Sequence, residues 1–181
     1  MVRNFTRSSG VLETTAQILI VPPFYENLGK RLIKSPRVYV ADAGLACHLL
    51  GIDTAAELAR SPFRGALFEG FIAAEIFKAQ VNAGGRRELY HFRDEQGLEV
   101  DFLVPGRAGA VALVECKAGR TVTPSMALPM QRLAAALKSK RQNAADTKMF
   151  LVHQSPLGGT PTPAVAPSVR ALPWQQFLEA L

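Results

Sequence analysis

The run "LEVDFLVPGRAGAVALVECKAG", Leu98 to Gly119, sets Asp101, Glu115 and Lys117 inside two otherwise apolar stretches. A Pro/Gly turn separates them, so they read as the two arms of a β-hairpin. Side chains alternate faces along a strand, which puts Glu99, Asp101 and Leu103 on one face of the first arm and Val111, Leu113, Glu115 and Lys117 on one face of the second. If the chain turns about Arg107 to Gly109, Asp101 lies across from Glu115 and Glu99 across from Lys117. Opposed side chains have Cβ atoms about 5 Å apart, and like charges there repel, so the two carboxylates need a shared proton or a cation between them. A hard divalent ion meets that need. Mg²⁺ takes carboxylate oxygens at about 2.1 Å, keeps several waters and leaves room for a phosphate. The backbone carbonyl of Cys116 is a candidate third ligand. Lys117 is placed to hold a water beside the metal or stabilise charge on a phosphate as the ammonium, or to deprotonate that water as the neutral amine. The plainer alternative is a cross-strand ion pair between Asp101 and Lys117 on a solvated face. Leu103, Val111 and Leu113 on that same face argue against it.

These residues need a sheet, and the sheet needs helices to cover it. "ELYHFR", Glu88 to Arg93, reads as a strand before the hairpin, and "KMFLVH", Lys148 to His153, as one after it. The segment from Gly65 to the Gly84–Gly85 stop has Leu67, Phe68, Phe71, Ile72, Ile76 and Ala79 at helical spacing. Glu69 stacks over Ile72, Ala73 and Ile76 at helical intervals, so it belongs on or beside the buried face and is the helical acid best placed to steady a metal-bound water. A second helix is expected around Ser125 to Lys140, with Pro129 kinking it or lying in its first turn. "VYV" at Val38 to Val40 reads as a strand and Asp42 as the cap of a helix from Ala43 that Gly51 ends. "SPLGGTPTPAVAPS" reads as a surface loop, and the tail as a strand entering a helix with Trp174, Phe177, Leu178 and Leu181 facing inward.

The expected class is therefore α/β: a central mixed sheet with the Glu69 helix on one side and the Gln131 helix on the other. With 181 residues the chain fits one domain-sized core; residues 1–52 read as an accessory helical and strand segment and residues 53–181 as the core.

A formal charge of +6 is concentrated in clusters, including Lys30, Arg31, Lys34 and Arg37 in "GKRLIKSPR" and Arg86 and Arg87 in "GGRR". Such clusters suit a surface that tracks phosphates, so nucleic acid, DNA foremost, is the expected partner. No apolar run approaches the roughly 18 residues of a membrane span. The N-terminus lacks an apolar leader, and a cytoplasmic location with no membrane partner is expected. Two separated cysteines give no disulfide framework. "NLGKRL" lacks the flanking residues of a phosphate loop, so no ATP is expected in this chain. His48, His91 and His153 have no metal-ligand spacing.

"EVDFLV" followed by "VECKAG" resembles the split D…ExK signature of the PD-(D/E)XK nuclease superfamily, and "GALFEGFIAAEI" resembles its first core helix. Together with "PPFYENLGKRLIKSPRVYVADAGLACHLLGI" and "YHFRDEQGLEVDFLV", these stretches are similar to a bacterial and archaeal domain of unknown function that usually sits C-terminal to an AAA+ ATPase module. The resemblance implies a restriction-endonuclease-like core with Asp101 and Glu115 as ligands of Mg²⁺ or Mn²⁺, Lys117 as the catalytic lysine and Glu69 as the helical acid. It implies a metal-dependent nuclease or, as the alternative, a non-catalytic nucleic-acid- or protein-binding module that partners an AAA+ ATPase.

Overall fold

The computed structural model describes residues 10–24, 33–119, 121–140, 147–154 and 164–181; Lys30 and Arg31 lie outside them. Helical residues 10–14 (α1) lead into β1 (Ile18–Val21), which pairs antiparallel with β2 (Arg37–Val40) in a two-stranded sheet. Helices α2 (Ala43–Leu49), α3 (Ala55–Arg60) and α4 (Arg64–Asn82) follow. Asp42 caps α2 as expected, its carboxylate accepting the Leu45 N–H at 2.8 Å. Helix α4 starts within one residue of the expected Gly65.

Six strands form the main sheet in the order β3-β4-β5-β6-β8-β7. They are β3 (Tyr90–Arg93), β4 (Glu99–Pro105), β5 (Val111–Lys117), β6 (Thr147–His153), β7 (Ala164–Ala166) and β8 (Val169–Pro173). The β3–β4–β5 run is antiparallel, β5, β6 and β8 are parallel, and β7 returns antiparallel along the edge. Helix α5 (Leu128–Lys140) carries the chain from β5 to β6, and α6 (Trp174–Ala180) closes it. This is the mixed α/β sheet flanked by helices that the strand and helix periods imply. Pro129 lies in the first turn of α5, behind a 3₁₀ turn at Pro124–Ala127. One expectation needs correcting: Ala164–Ala166 is not loop but an edge strand. Three residues suffice to ladder onto β8 because an edge strand bonds on one side only.

The sheet has a core on each face. On the α4 side Phe68, Ile72 and Ile76 meet Phe102, Val104, Val114 and Phe150; Leu19 and Val21 of β1 join the same cluster. On the α5 side Met130, Leu133 and Leu137 meet Val100, Leu103, Leu113 and Leu151. Burying parallel strands on both faces explains their nearly unbroken apolar runs.

Candidate functional site

Strands β4 and β5 pair Phe102 with Val114, Leu103 with Leu113 and Val104 with Ala112. The turn falls where it was expected, but the pairing ends at Phe102–Val114, one step short of the expected Asp101–Glu115 pair. Alternation is unbroken along β5, with Val114 and Cys116 in the α4-side core and Leu113 in the α5-side core. Glu115 and Lys117 therefore continue the row of Leu113.

Asp101 departs from that row. Tyr90 of β3 pairs with Leu103 and Phe92 with Val100, so His91 alone faces both Asp101 and Phe102. This bulge places Val100 and Leu103 in the same core although three positions separate them. A bulge bends its strand and re-aims the side chain at the extra residue. Here Asp101 is turned toward α4 and β2, where Arg37 Nη1 lies 3.3 Å from its Oδ1. Its other oxygen accepts the Cys116 backbone N–H at 2.8 Å. The single row of charges expected from alternation is thus broken at Asp101.

Arg37 and Tyr39 are what the reading of the hairpin missed. The same Arg37 Nη1 binds Glu69, and its Nη2 binds Glu99, which also meets Arg93 at 3.4 Å. Tyr39, two residues along the same face of β2, donates its hydroxyl to Glu69. Gly70 permits this approach, since a Cβ there would stand 3.2 Å from the Tyr39 ring. The signal was present in "RVYV", whose first and third residues both carry donors.

Glu115 is 8% exposed. Its Oε1 accepts from Lys117 Nζ at 2.7 Å, while its Oε2 has no hydrogen-bond partner among the described residues. Burial, and then the charge of Asp101, push its carboxyl up to about 7 against the pull of Lys117. Burial and Asp101 also raise Glu69, opposed by Tyr39 and Arg37. For Lys117, burial favours the neutral amine, but the Glu115 hydrogen bond and the charges of Glu115 and Asp101 outweigh it and raise its pKa. The Cys116 thiol is held well up by burial and the surrounding carboxylates, which leaves it an inert side chain on a useful backbone.

Among the described residues no three His, Cys, Asp or Glu side chains are grouped to hold a metal ion. Mg²⁺, however, is commonly held by one or two carboxylates with water filling the remainder. A buried carboxylate oxygen with no partner among the described residues, near enough to Asp101 to feel its charge, has the donor chemistry such an ion requires.

Of the basic residues expected to meet phosphate, Lys34, Arg86 and Arg87 are exposed, whereas Arg37 is engaged by the acids. A cleft of about 490 Å³ between α2, α3, α4 and α6 contains none of the acidic residues. Its one charged lining side chain, Arg64, is tied to the Ala118 carbonyl and Gln154. No helix among the described residues is long and apolar enough to cross a membrane.

A family model described as a domain of unknown function (DUF4143) matches residues 64–156, which carry Glu69, Asp101, Glu115 and Lys117. A second, also described as a domain of unknown function (DUF8612), matches residues 2–56, which carry Arg37 and Tyr39. Two mycobacterial proteins are each 36% identical over 149 residues: the uncharacterized proteins Mb2031c of Mycobacterium bovis and Rv2008c of Mycobacterium tuberculosis. The match covers 76% of this chain and 32% of each relative, so the chain spans about a third of their length. No solved structure matches.

Proposed function

The chain belongs to the family described as a domain of unknown function (DUF4143), and from that premise we propose that it is a Mg²⁺-dependent nuclease of the PD-(D/E)XK type acting on DNA. The carrying observation is Glu115: a buried carboxylate with one oxygen on Lys117, the other without a partner among the described residues, and Asp101 as the strongest neighbouring charge. On this reading α4, β3–β5, α5 and β6 form a restriction-endonuclease-like core. Asp101, Glu115 and the Cys116 carbonyl would hold the ion. When bound it would polarise a phosphoryl oxygen and acidify a water.

The remaining work falls to the chain's own groups. Lys117, kept as an ammonium by Glu115 and Asp101, stabilises charge on the phosphate rather than abstracting a proton. Glu69, whose Oε1 already accepts from Arg37 and Tyr39, is suited to orient water through its other oxygen. Exposed Lys34, Arg86 and Arg87 draw the polyanion toward the site. The test is nicking of supercoiled, single-stranded and branched DNA with Mg²⁺ or Mn²⁺. Activity should fall at least 100-fold in Glu115→Ala and Lys117→Ala. No cleavage of any of these by the intact chain would defeat the proposal.

A second reading is a non-catalytic nucleic-acid- or protein-binding module that partners an AAA+ ATPase. It draws on Arg37, whose guanidinium already pairs with Glu69, Glu99 and Asp101 without metal. Exposed Leu45, Leu49, Leu50 and Phe63 about α2 add apolar surface for a protein partner. DNA binding without Mg²⁺ or Mn²⁺ uptake in calorimetry would favour it.

A further inference from the structure

We propose that Arg37 is a built-in counter-cation that competes with divalent metal for the acidic site, so that the site admits metal only as the guanidinium gives up its carboxylates. The inference rests on the metal-binding reading above. It begins from a contrast among the acids. Glu69, Glu99 and Asp101 each have a cationic partner in Arg37. Glu115, which Arg37 does not reach, keeps an oxygen with none among the described residues. One guanidinium thus spans acids from α4, from the β4 bulge and from the regular strand just before it.

The placement is constrained rather than a surface accident. Arg37 is 19% exposed, and Tyr39 anchors the same strand by binding Glu69. The other cations facing the cluster do not substitute for it. Among the described residues Arg93 pairs only with Glu99, and Lys117 only with Glu115. A divalent ion on Asp101 would stand beside a guanidinium on that carboxylate, and like charges in a half-buried site repel strongly. Metal binding and Arg37 pairing therefore oppose each other. A released guanidinium has a natural new partner in a phosphodiester, whose oxygens match its fork of donors. Metal and substrate would then help each other bind, each by removing Arg37 from the acids. The counter-cation also arrives on β2, from the part of the chain matched by the second family model. Movement of the two-stranded sheet would thus be felt at the metal site.

Calorimetric titration of Mn²⁺ into the full chain, wild type beside Arg37→Gln, tests this, with thermal melting in parallel. Arg37→Gln should bind Mn²⁺ at least tenfold more tightly, and Mn²⁺ should raise its melting temperature more than that of wild type. Arg37→Lys keeps the charge and should stay within about threefold of wild type. If Arg37→Gln does not fold alone, Mn²⁺ should restore its circular dichroism, because the ion then does the guanidinium's work. Equal Mn²⁺ affinity in wild type and Arg37→Gln would overturn the counter-cation role and leave the metal reading standing. Failure of both to bind Mn²⁺ would overturn that reading and this inference together. An unfolded variant that Mn²⁺ cannot restore would overturn the inference alone, provided the wild type binds the ion.

Discussion

Strands β4 and β5 are built from one hairpin, yet their two ends obey different physics. Toward the turn Leu103, Val104, Val111 and Leu113 are buried against one helix or the other. At the open end the same strands hold Glu99, Asp101, Glu115 and Lys117. The closed end is stabilised by removing apolar surface from water, at roughly 25 cal/mol per Å². The open end is held by charges that cost free energy to bury unless each finds a partner. Only part of that requirement is met among the described residues, where Glu115 lacks a partner for one oxygen and has its carboxyl raised to about 7. The contrast teaches that the hairpin's stability and its chemistry are spatially separate and should respond to different perturbations.

The largest effect should come from the apolar half. Phe102 sits at the boundary, 0% exposed and edge-on to Tyr39. Phe102→Ala should destabilise the chain by about 3–5 kcal/mol, read by urea or thermal unfolding. A loss under 1 kcal/mol would mean that the α4-side core is not what holds the site together.

The polar half should give the opposite sign. The Glu115 pKa is about 7 when folded and near 4.5 when unfolded. The folded state therefore binds more protons between those values, and stability falls as pH rises from about 4.5 through 7. Glu115→Gln removes that slope while keeping an oxygen for Lys117. The variant should be more stable than wild type at pH 8 by on the order of 2 kcal/mol, with the gain gone below pH 4.5. Parallel melting curves of the two proteins from pH 4 to 8, with a constant gap, would remove the claim that this carboxyl is strained.

How much of this was legible in the sequence follows from how local each determinant is. The Asp42 cap, the span of α4 and the hairpin register depend on neighbours a few residues away or on a period, so residue order reveals them. The bulge at Asp101 does not, because it exists only in the pairing of β4 with β3, where His91 faces two residues. Alternation predicted one row of charges, and the third strand overruled it. Arg37 was less legible still. Its partners are 32, 62 and 64 positions away, and its place in a basic run suggested an open phosphate-binding surface. Packing of β2 on α4 turned that cation inward. Lys34, three residues before it, stays exposed.

The smallest effect on stability, and the finest test of the contrast, concerns Arg86 and Arg87. Both are exposed just beyond the C-terminal end of α4, whereas Glu69 lies near its start. At 1.5 Å per residue, the helix from Glu69 to Asn82 spans roughly 20 Å. A nucleic acid advances about 3.4 Å per nucleotide, so a ligand needs about six nucleotides to touch both places. Replacing both arginines by alanine should leave stability within about 0.5 kcal/mol. It should weaken binding of a 20-base-pair duplex and lower its salt-dependence slope by up to about 2, while sparing a dinucleotide. Equal weakening of both ligands would place the arginines at the acidic mouth itself. No weakening of either would remove them from the DNA path and leave Lys34 as the described cation to examine there. The predicted split, with long ligands affected and short ones spared, requires the acidic mouth and a separate basic end to act on one ligand at once.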